Sequence, residues 1–146
     1  GLAGVVLSNH GGRQLDFARS GVEVLEEVMR ELRKRGSFPN PAFQVMVDGG
    51  FRRGTDILKA LAMGATAVGI GRPFLYAYSA YGVDGVIHAI NLLRDELEMN
   101  MRLIGARSIE ELVPSMVDLS ALHNHTGAVF PKQDQSVLDF MDKSRL

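Results

Sequence analysis

A chain of 146 residues with 46% hydrophobic residues is long enough to form one ordinary hydrophobic core. Its formal net charge of -1 argues against nucleic acid or a membrane surface as a partner. No apolar run approaches the roughly 20 residues that span a bilayer, and the absence of cysteine excludes disulfides and thiolate metal sites. We therefore expect one globular unit with neither a membrane nor a nucleic-acid role.

Two strand-helix units come first along the chain. Residues 4 to 8 form a short apolar run bounded by glycines, which is typical of a strand buried on both faces. Ser20 opens a capping-box pattern that predicts a helix, and Gly36 ends it. A second buried strand is predicted over Phe43 to Val47, and a second helix over Thr55 to Met63.

The third unit is a short strand over Ala67 to Ile70 followed by a long helix, which is predicted by an apolar stripe at helical spacing. Ser108 opens another capping-box pattern, before a short helix that Pro114 stops. Beyond residue 122 the periodicity is lost, which indicates a surface tail or a subunit-contact arm over residues 123 to 146. The stripe of the long helix consists of Val86, Ile90, Leu93, Leu97, Met101 and Ile104.

The alternation of strands and helices predicts an α/β fold with a parallel sheet and right-handed crossovers. Three parallel strands alone would leave two unpaired edges, so the pattern favours the end of a (β/α)8 TIM barrel over a complete domain. We expect residues 1 to 122 to be its last three βα units, the C-terminal portion of the barrel, with a tail over 123 to 146. Because the chain opens on Gly1 rather than Met, we also expect a natural N-terminal part before it, which would hide any targeting signal there.

The last three residues, Ser144-Arg145-Leu146, closely resemble the Ser-Lys-Leu peroxisomal address, with arginine supplying the positive charge of lysine. If the protein ends there in nature, the sequence predicts a peroxisomal location. The alternative is a chance tripeptide or a truncated end.

Three glycine-containing loops follow the three strands and carry a candidate site. In the first loop, an imidazole at His10 stands three residues before a guanidinium at Arg13. Active sites of TIM barrels lie in the loops after the strands, and the last two loops frequently bind phosphate. Glycines let backbone N–H groups approach phosphate oxygens, and arginines supply planar charged donors, so the later loops predict an anion site. Its candidate residues are Asp48, Gly49, Gly50, Arg52, Gly71 and Arg72.

Each of these residues also has a plainer interpretation. A lone histidine is more often a structural hydrogen-bonding residue than a catalyst, and Arg13 could pair with a surface carboxylate. Gly49 and Gly50 could form a plain turn, and Asp48 could cap the next helix. Arg53 is left outside the site because its side chain could point to solvent. His88, His123 and His125 lack the partner spacing of metal ligands, so no metal site is predicted.

Residues 8–16, 47–56 and 69–76 together closely resemble the family of FMN-dependent 2-hydroxy acid dehydrogenases and oxidases, which includes flavocytochrome-type L-lactate dehydrogenases and glycolate oxidases. The similarity extends from Gly1 to about Leu119. The three segments read SNHGGRQLD, VDGGFRRGTD and GIGRPFLY.

This resemblance implies a barrel enzyme that uses FMN to oxidise an L-2-hydroxy acid of the lactate or glycolate type to the 2-oxo acid. It assigns His10 as the base and Arg13 as the residue that binds the substrate carboxylate. A neutral imidazole can take a proton near neutral pH, and a guanidinium matches a carboxylate with two parallel hydrogen bonds. The residues implied to contact FMN are Arg13, Asp48, Gly49, Gly50, Arg52, Gly71 and Arg72.

The electron acceptor and the compartment stay open at this point. The Ser-Arg-Leu ending favours a peroxisomal oxidase that uses O2. The barrel segment is more similar to the cytochrome-linked lactate dehydrogenases, which implies cytochrome c as acceptor, a haem domain before the barrel and the mitochondrial intermembrane space. The family expectation for assembly is a homotetramer.

Departures from the family are mainly absences. Members carry, on earlier strands, a carboxylate that orients the catalytic histidine, a lysine near the flavin and tyrosines over the substrate, and none can be matched here. We therefore expect these 146 residues alone to bind FMN poorly and to have no turnover. Phe51 stands where relatives often have a smaller apolar residue. Two alternatives remain: a phosphate-binding barrel isomerase or lyase without flavin, and an inactive barrel segment or assembly module.

Overall fold

Three strands and three helices alternate along residues 1–122, the part of the chain that the computed structural model describes. The strands are β1 (Gly4–Leu7), β2 (Gln44–Asp48) and β3 (Ala67–Gly69). The helices are α1 (Gly21–Lys34), α2 (Gly54–Met63) and α3 (Arg72–Ile104). Short 3-10 turns lie at His10–Gly12, Ile109–Glu111 and Pro114–Met116. The predicted α/β alternation is confirmed.

The strands form one parallel sheet in the order β1-β2-β3. In its register Val5 lies opposite Val45, and Val47 lies opposite Val68. Because the strands run in the same direction, their carboxyl ends meet at one edge of the sheet. The loops that carry the predicted site residues therefore begin side by side.

A capping box begins α1, as the sequence predicts. The Ser20 hydroxyl oxygen accepts a hydrogen bond from the Glu23 N–H (3.3 Å), and the Glu23 carboxylate accepts one from the Ser20 N–H (2.8 Å). The helix buries Leu25 and Met29 completely, in a cluster that includes Val47 of β2. Burial of an apolar side chain of this size contributes about 1.5–3 kcal/mol relative to exposure, so this face fixes α1 on the sheet.

A second apolar cluster joins α2 to the later part of the chain. It contains Leu58 and Ala62 of α2, and Leu97 and Met101 of α3 pack against it. The sequence predicts the end of α2 correctly, because Gly64 adopts the left-handed conformation (φ 113°) that closes a helix.

Helix α3 is longer than its apolar stripe predicts, and it is bent. It begins at Arg72, and Gly82 interrupts its helical geometry with φ 60° and ψ -144°, a conformation open to glycine and rarely to other residues. Within the predicted stripe, Ile90 and Ile104 are 49% and 38% exposed. The stripe is therefore only partly covered by the rest of residues 1–122.

The predicted capping box at Ser108 is wrong. The Ser108 side chain makes no cap hydrogen bond, and the Glu111 carboxylate accepts hydrogen bonds from the Arg107 N–H (2.9 Å) and from the Arg107 guanidinium (2.9 and 3.1 Å). The predicted short helix is a single 3-10 turn, and Pro114 begins a second turn after it.

The predicted tail, with His123, His125 and the Ser144-Arg145-Leu146 ending, lies outside the described residues. Across residues 1–122, no helix has both the length and the apolar character needed to cross a bilayer.

Candidate functional site

The loops after β1, β2 and β3 line one cavity of about 870 Å³. Pockets that hold a small molecule or cofactor commonly have volumes of ~300–1,000 Å³. The structure brings every sequence-predicted site residue to this cavity: His10, Arg13, Asp48, Gly49, Gly50, Arg52, Gly71 and Arg72.

Apolar side chains that were not predicted as site residues complete the cavity wall. Three of them lie directly beside a predicted site residue in the sequence, which is the signal that could have identified them, and the other two lie in the first turns of α3. They are Phe51, Ile70, Pro73, Leu75 and Tyr76. Phe51, noted for its size in the sequence, is only 3% exposed and belongs to the main core cluster.

The first loop turns sharply at His10. The φ of His10 is 54°, and Gly11 (65°) and Gly12 (72°) continue the left-handed conformation. The Ser8 hydroxyl oxygen accepts a hydrogen bond from the His10 N–H (3.1 Å), and the Asn9 amide oxygen accepts one from the Gly12 N–H (3.1 Å). These local bonds hold an exposed imidazole at the carboxyl end of β1.

The third loop contacts the first through Arg72, the first residue of α3. Its guanidinium Nη2 donates a hydrogen bond to the Gly11 carbonyl oxygen at 3.1 Å. A Cβ atom on Gly11 would lie 3.3 Å from the same Nη2 atom. The predicted catalytic loop and the predicted anion loop are thus in direct contact.

The end of β2 and the loop after it supply the half-buried carboxylate of Asp48 and two glycines. The Asp48 Oδ1 atom is buried and accepts no hydrogen bond from any residue in the range 1–122. Gly49 and Gly50 have φ values of 88° and 90°, and a Cβ atom on Gly49 would approach the Asn9 Oδ1 atom to 3.1 Å. The alternative in which Asp48 caps α2 is wrong, because Arg53 occupies the cap position.

The two adjacent arginines of this loop point to different partners. Arg52 lines the cavity, whereas Arg53 pairs with Glu96 of α3, with Nη2 2.8 Å from Oε1. The Arg53 guanidinium lowers the pKa of Glu96 below its ordinary value of 4.5, and Glu96 raises the pKa of Arg53. Arg53 thus lies outside the cavity, as the sequence predicts, but its side chain binds a carboxylate instead of pointing to solvent.

The charged groups around the cavity favour an anion. Three guanidinium groups, from Arg13, Arg52 and Arg72, stand against one carboxylate, that of Asp48. A buried carboxylate oxygen without a donor is costly, so the cavity also suits a ligand that donates hydroxyl hydrogen bonds. The described residues contain no group of three His, Cys, Asp or Glu side chains placed to hold a metal ion.

Comparisons with known proteins agree with this geometry. Residues 1–119 match the FMN-dependent dehydrogenase family. The L-lactate dehydrogenase (cytochrome) of Wickerhamomyces anomalus is 61% identical over 124 residues, which cover 85% of this chain and 21% of that protein. The peroxisomal (S)-2-hydroxy-acid oxidase GLO4 of Oryza sativa subsp. japonica is 50% identical over 117 residues, covering 80% and 30%.

The solved flavin-binding domain of baker's yeast flavocytochrome b2 is similar in structure, with a TM-score of 0.80 and 53% identity. The match covers 95% of this chain and 34% of that one. The chain thus spans about a fifth to a third of the length of these proteins. The predicted fold class is confirmed by this match, and the chain belongs to the FMN-dependent dehydrogenase family.

Proposed function

We propose that the complete protein oxidises an L-2-hydroxy acid to the 2-oxo acid with FMN, with His10 as the base and Arg13 as the residue that binds the substrate carboxylate. One observation carries the proposal: an imidazole, three guanidinium groups and glycine-rich turns from three successive loops line the same cavity. The names of the relatives, an L-lactate dehydrogenase and a 2-hydroxy-acid oxidase, support this substrate class.

The residues present fit FMN. The buried Asp48 Oδ1 atom receives no hydrogen bond from residues 1–122, and a ribityl hydroxyl would supply the missing donor. Arg52 and Arg72 would bind the phosphate, because a guanidinium forms paired, charge-assisted hydrogen bonds with phosphate oxygens. Gly50 and Gly71 leave room for this contact, since no atom of the described part of the chain outside their immediate neighbours lies within 4 Å of where their Cβ atoms would stand.

The proposed chemistry divides between the cofactor and the chain. FMN, when bound, supplies the acceptor for the two electrons that leave the substrate. Arg13 holds the substrate carboxylate, and this orients the hydroxyl-bearing carbon toward His10. His10 accepts a proton that the oxidation releases. The Arg72 contact to the Gly11 carbonyl keeps the loop that bears His10 against the proposed phosphate site.

The decisive experiment mixes the complete, FMN-loaded protein anaerobically with L-lactate and, separately, with glycolate, and follows the absorbance of oxidised flavin. We expect rapid bleaching with at least one of the two acids. The His10→Gln variant should retain bound flavin and bleach more slowly by a factor of about 100 to 10,000, because general base catalysis contributes that much.

Bound flavin that no small 2-hydroxy acid bleaches would contradict the proposed reaction. A purified protein that binds phosphate but no flavin would instead support the isomerase or lyase alternative. Unchanged bleaching in His10→Gln would make the histidine structural.

The acceptor and the location are tested after bleaching. Admitting O2 or cytochrome c to the reduced protein identifies which one restores oxidised flavin. We propose a peroxisomal location, on the support of the Ser144-Arg145-Leu146 sequence and of a peroxisomal relative. Deleting these three residues from a fluorescent fusion should abolish peroxisomal import; mitochondrial import would instead favour the intermembrane space and a haem domain.

A homotetramer is the expected assembly, and light scattering on the complete protein checks it.

A further inference from the structure

A carboxylate of α3 binds the start of α2, although 42 residues separate them in sequence. The Glu96 Oε2 atom accepts a hydrogen bond from the Gly54 N–H at 2.8 Å. The Arg53 Nε atom donates to Oε1 at 2.9 Å and to Oε2 at 3.1 Å. Arg53 occupies the cap position of α2 without a side-chain cap bond of its own, so Glu96 supplies the anion that a helix N-terminus favours.

A second carboxylate fixes the residues just before this point. The Asp56 Oδ2 atom accepts hydrogen bonds from the N–H groups of Arg52 and Arg53, both at 3.0 Å. Three successive backbone N–H groups, those of residues 52, 53 and 54, are therefore bound by two carboxylates. The backbone of Arg52 and of the two residues that follow it is held by these bonds.

These contacts give the two adjacent arginines separate tasks. Arg53 is held in the ion pair, and Arg52 lines the cavity. We propose that Glu96 is a positioning residue, which acts through Arg53 and Gly54 to hold Arg52 in place to bind the phosphate of the cofactor. This inference rests on the proposed use of FMN.

The test compares FMN with riboflavin, which lacks the phosphate. Dissociation constants for both flavins are measured on the complete protein after removal of its cofactor, for wild type, Glu96→Gln and Arg53→Met. If the pair positions Arg52, each variant should weaken FMN binding about tenfold, the effect of losing a charge-assisted hydrogen bond, and leave riboflavin binding within about twofold.

The two variants also separate positioning from simple charge. Glu96→Gln removes a negative charge and Arg53→Met a positive one, so a purely electrostatic effect would strengthen FMN binding in the first and weaken it in the second. If the pair instead positions Arg52, FMN binding should be weaker in both variants. Glu98→Gln and Arg94→Met are the matched controls, because these residues lie on the same helix and pair there with one another. They should leave the FMN-to-riboflavin ratio unchanged.

Three results would overturn the inference. Variants that keep the wild-type ratio would show that Glu96 does not act on the phosphate, and opposite shifts in the two variants would show a charge effect alone. Loss of folded protein and of both flavins in either variant would show that the pair maintains the fold. Equal affinity of the wild type for riboflavin and FMN would contradict the proposed phosphate site itself, and this outcome is distinct from a failure of the role proposed for Glu96.

Discussion

His10 combines a reactive side chain with a strained backbone. Left-handed φ values cost a residue with a Cβ atom about 1–2 kcal/mol, and such strain persists where the surrounding structure holds it. Here the hydrogen bonds to Ser8 and Asn9 hold the turn, and Gly11 and Gly12 continue it without the same cost. A replacement for His10 must therefore tolerate this backbone as well as lack the imidazole, which favours Gln over a β-branched residue in the test above.

Asp48 offers a test of the proposed ribityl contact. Asp48→Asn removes the charge of a carboxylate whose buried Oδ1 atom has no hydrogen-bond partner among residues 1–122, so the cofactor-free protein should melt at the same temperature or higher. The same change should weaken FMN and riboflavin about equally, by roughly tenfold, because both flavins carry the ribityl chain. Thermal melting and flavin titration of the complete protein measure the two effects.

Asp84→Asn is the control for Asp48→Asn, because Asp84 is an exposed aspartate of α3 that does not line the cavity. Equal losses of flavin affinity in both variants would argue against the ribityl contact. A loss confined to FMN would place Asp48 near the phosphate instead.

At the scale of elements, α2 and α3 approach each other closely at Gly54. A Cβ atom on Gly54 would stand 2.5 Å from the Leu97 backbone nitrogen and 2.6 Å from the Glu96 Cβ atom. Gly54→Ala should therefore lower the free energy of unfolding by about 3 kcal/mol, since the two helices must separate to admit a methyl group. Denaturant unfolding of the complete protein measures the loss.

Gly36→Ala provides the comparison for Gly54→Ala. The φ of Gly36, 65°, is also unfavourable for a residue with a Cβ atom, but among residues 1–122 no atom beyond its immediate neighbours lies within 4 Å of its Cβ position. Its loss should be about 1–2 kcal/mol, from backbone strain alone. A Gly54→Ala loss no larger than this would contradict the close packing of α2 on α3.

The ion pair between α2 and α3 predicts a pH dependence. Arg53 lowers the pKa of Glu96 from its ordinary value of 4.5, so the stabilisation is present above that value and is lost as the pH falls through the lowered pKa. The melting temperature of Glu96→Gln should be below that of wild type at neutral pH, and the gap should narrow and then close as the pH falls below 4.5 and through the lowered pKa of Glu96. Glu98→Gln measures the general effect of removing one carboxylate, and a gap that persists at acid pH would contradict the prediction.

Local sequence patterns predict the helices and strands well, but they do not predict contacts between residues that are distant in the sequence. The Ser20 capping box and the apolar strands are encoded within a few residues, so the sequence is sufficient to place α1 and the sheet. The carboxyl ends of parallel strands meet, so the cavity residues could be grouped in advance. The contact of Glu96 with the start of α2 could not be predicted, because arginine is an unusual helix cap and Glu96 lies 43 residues from Arg53 in the sequence.

At the scale of the whole molecule, much apolar surface is exposed. Four large apolar side chains of β1 and α3 are 55–79% exposed: Val6, Tyr81, Val83 and Leu103. The outer edges of β1 and β3 are also unpaired within residues 1–122. Exposed large apolar side chains and unpaired strand edges of this kind generally contact other protein. Isolated residues 1–146 should therefore bind FMN poorly and show no turnover.

Gel filtration with FMN, followed by an assay with L-lactate, checks this prediction for residues 1–146. We expect the flavin to elute apart from the polypeptide, whereas the complete protein should retain it. Robust lactate oxidation by the isolated residues would contradict the prediction, and would show that the three loops suffice for the chemistry.

The interruption at Gly82 divides α3 into two helical segments, which we call its first and second parts. The first part begins with Arg72 at the cavity, and the second carries Glu96 against α2. Because the regular helix is interrupted between them, a rotation of one part is not transmitted rigidly to the other. Substitutions in the cavity wall at Leu75 and Tyr76 can thus shift the first part while the second part keeps its ion pair with Arg53.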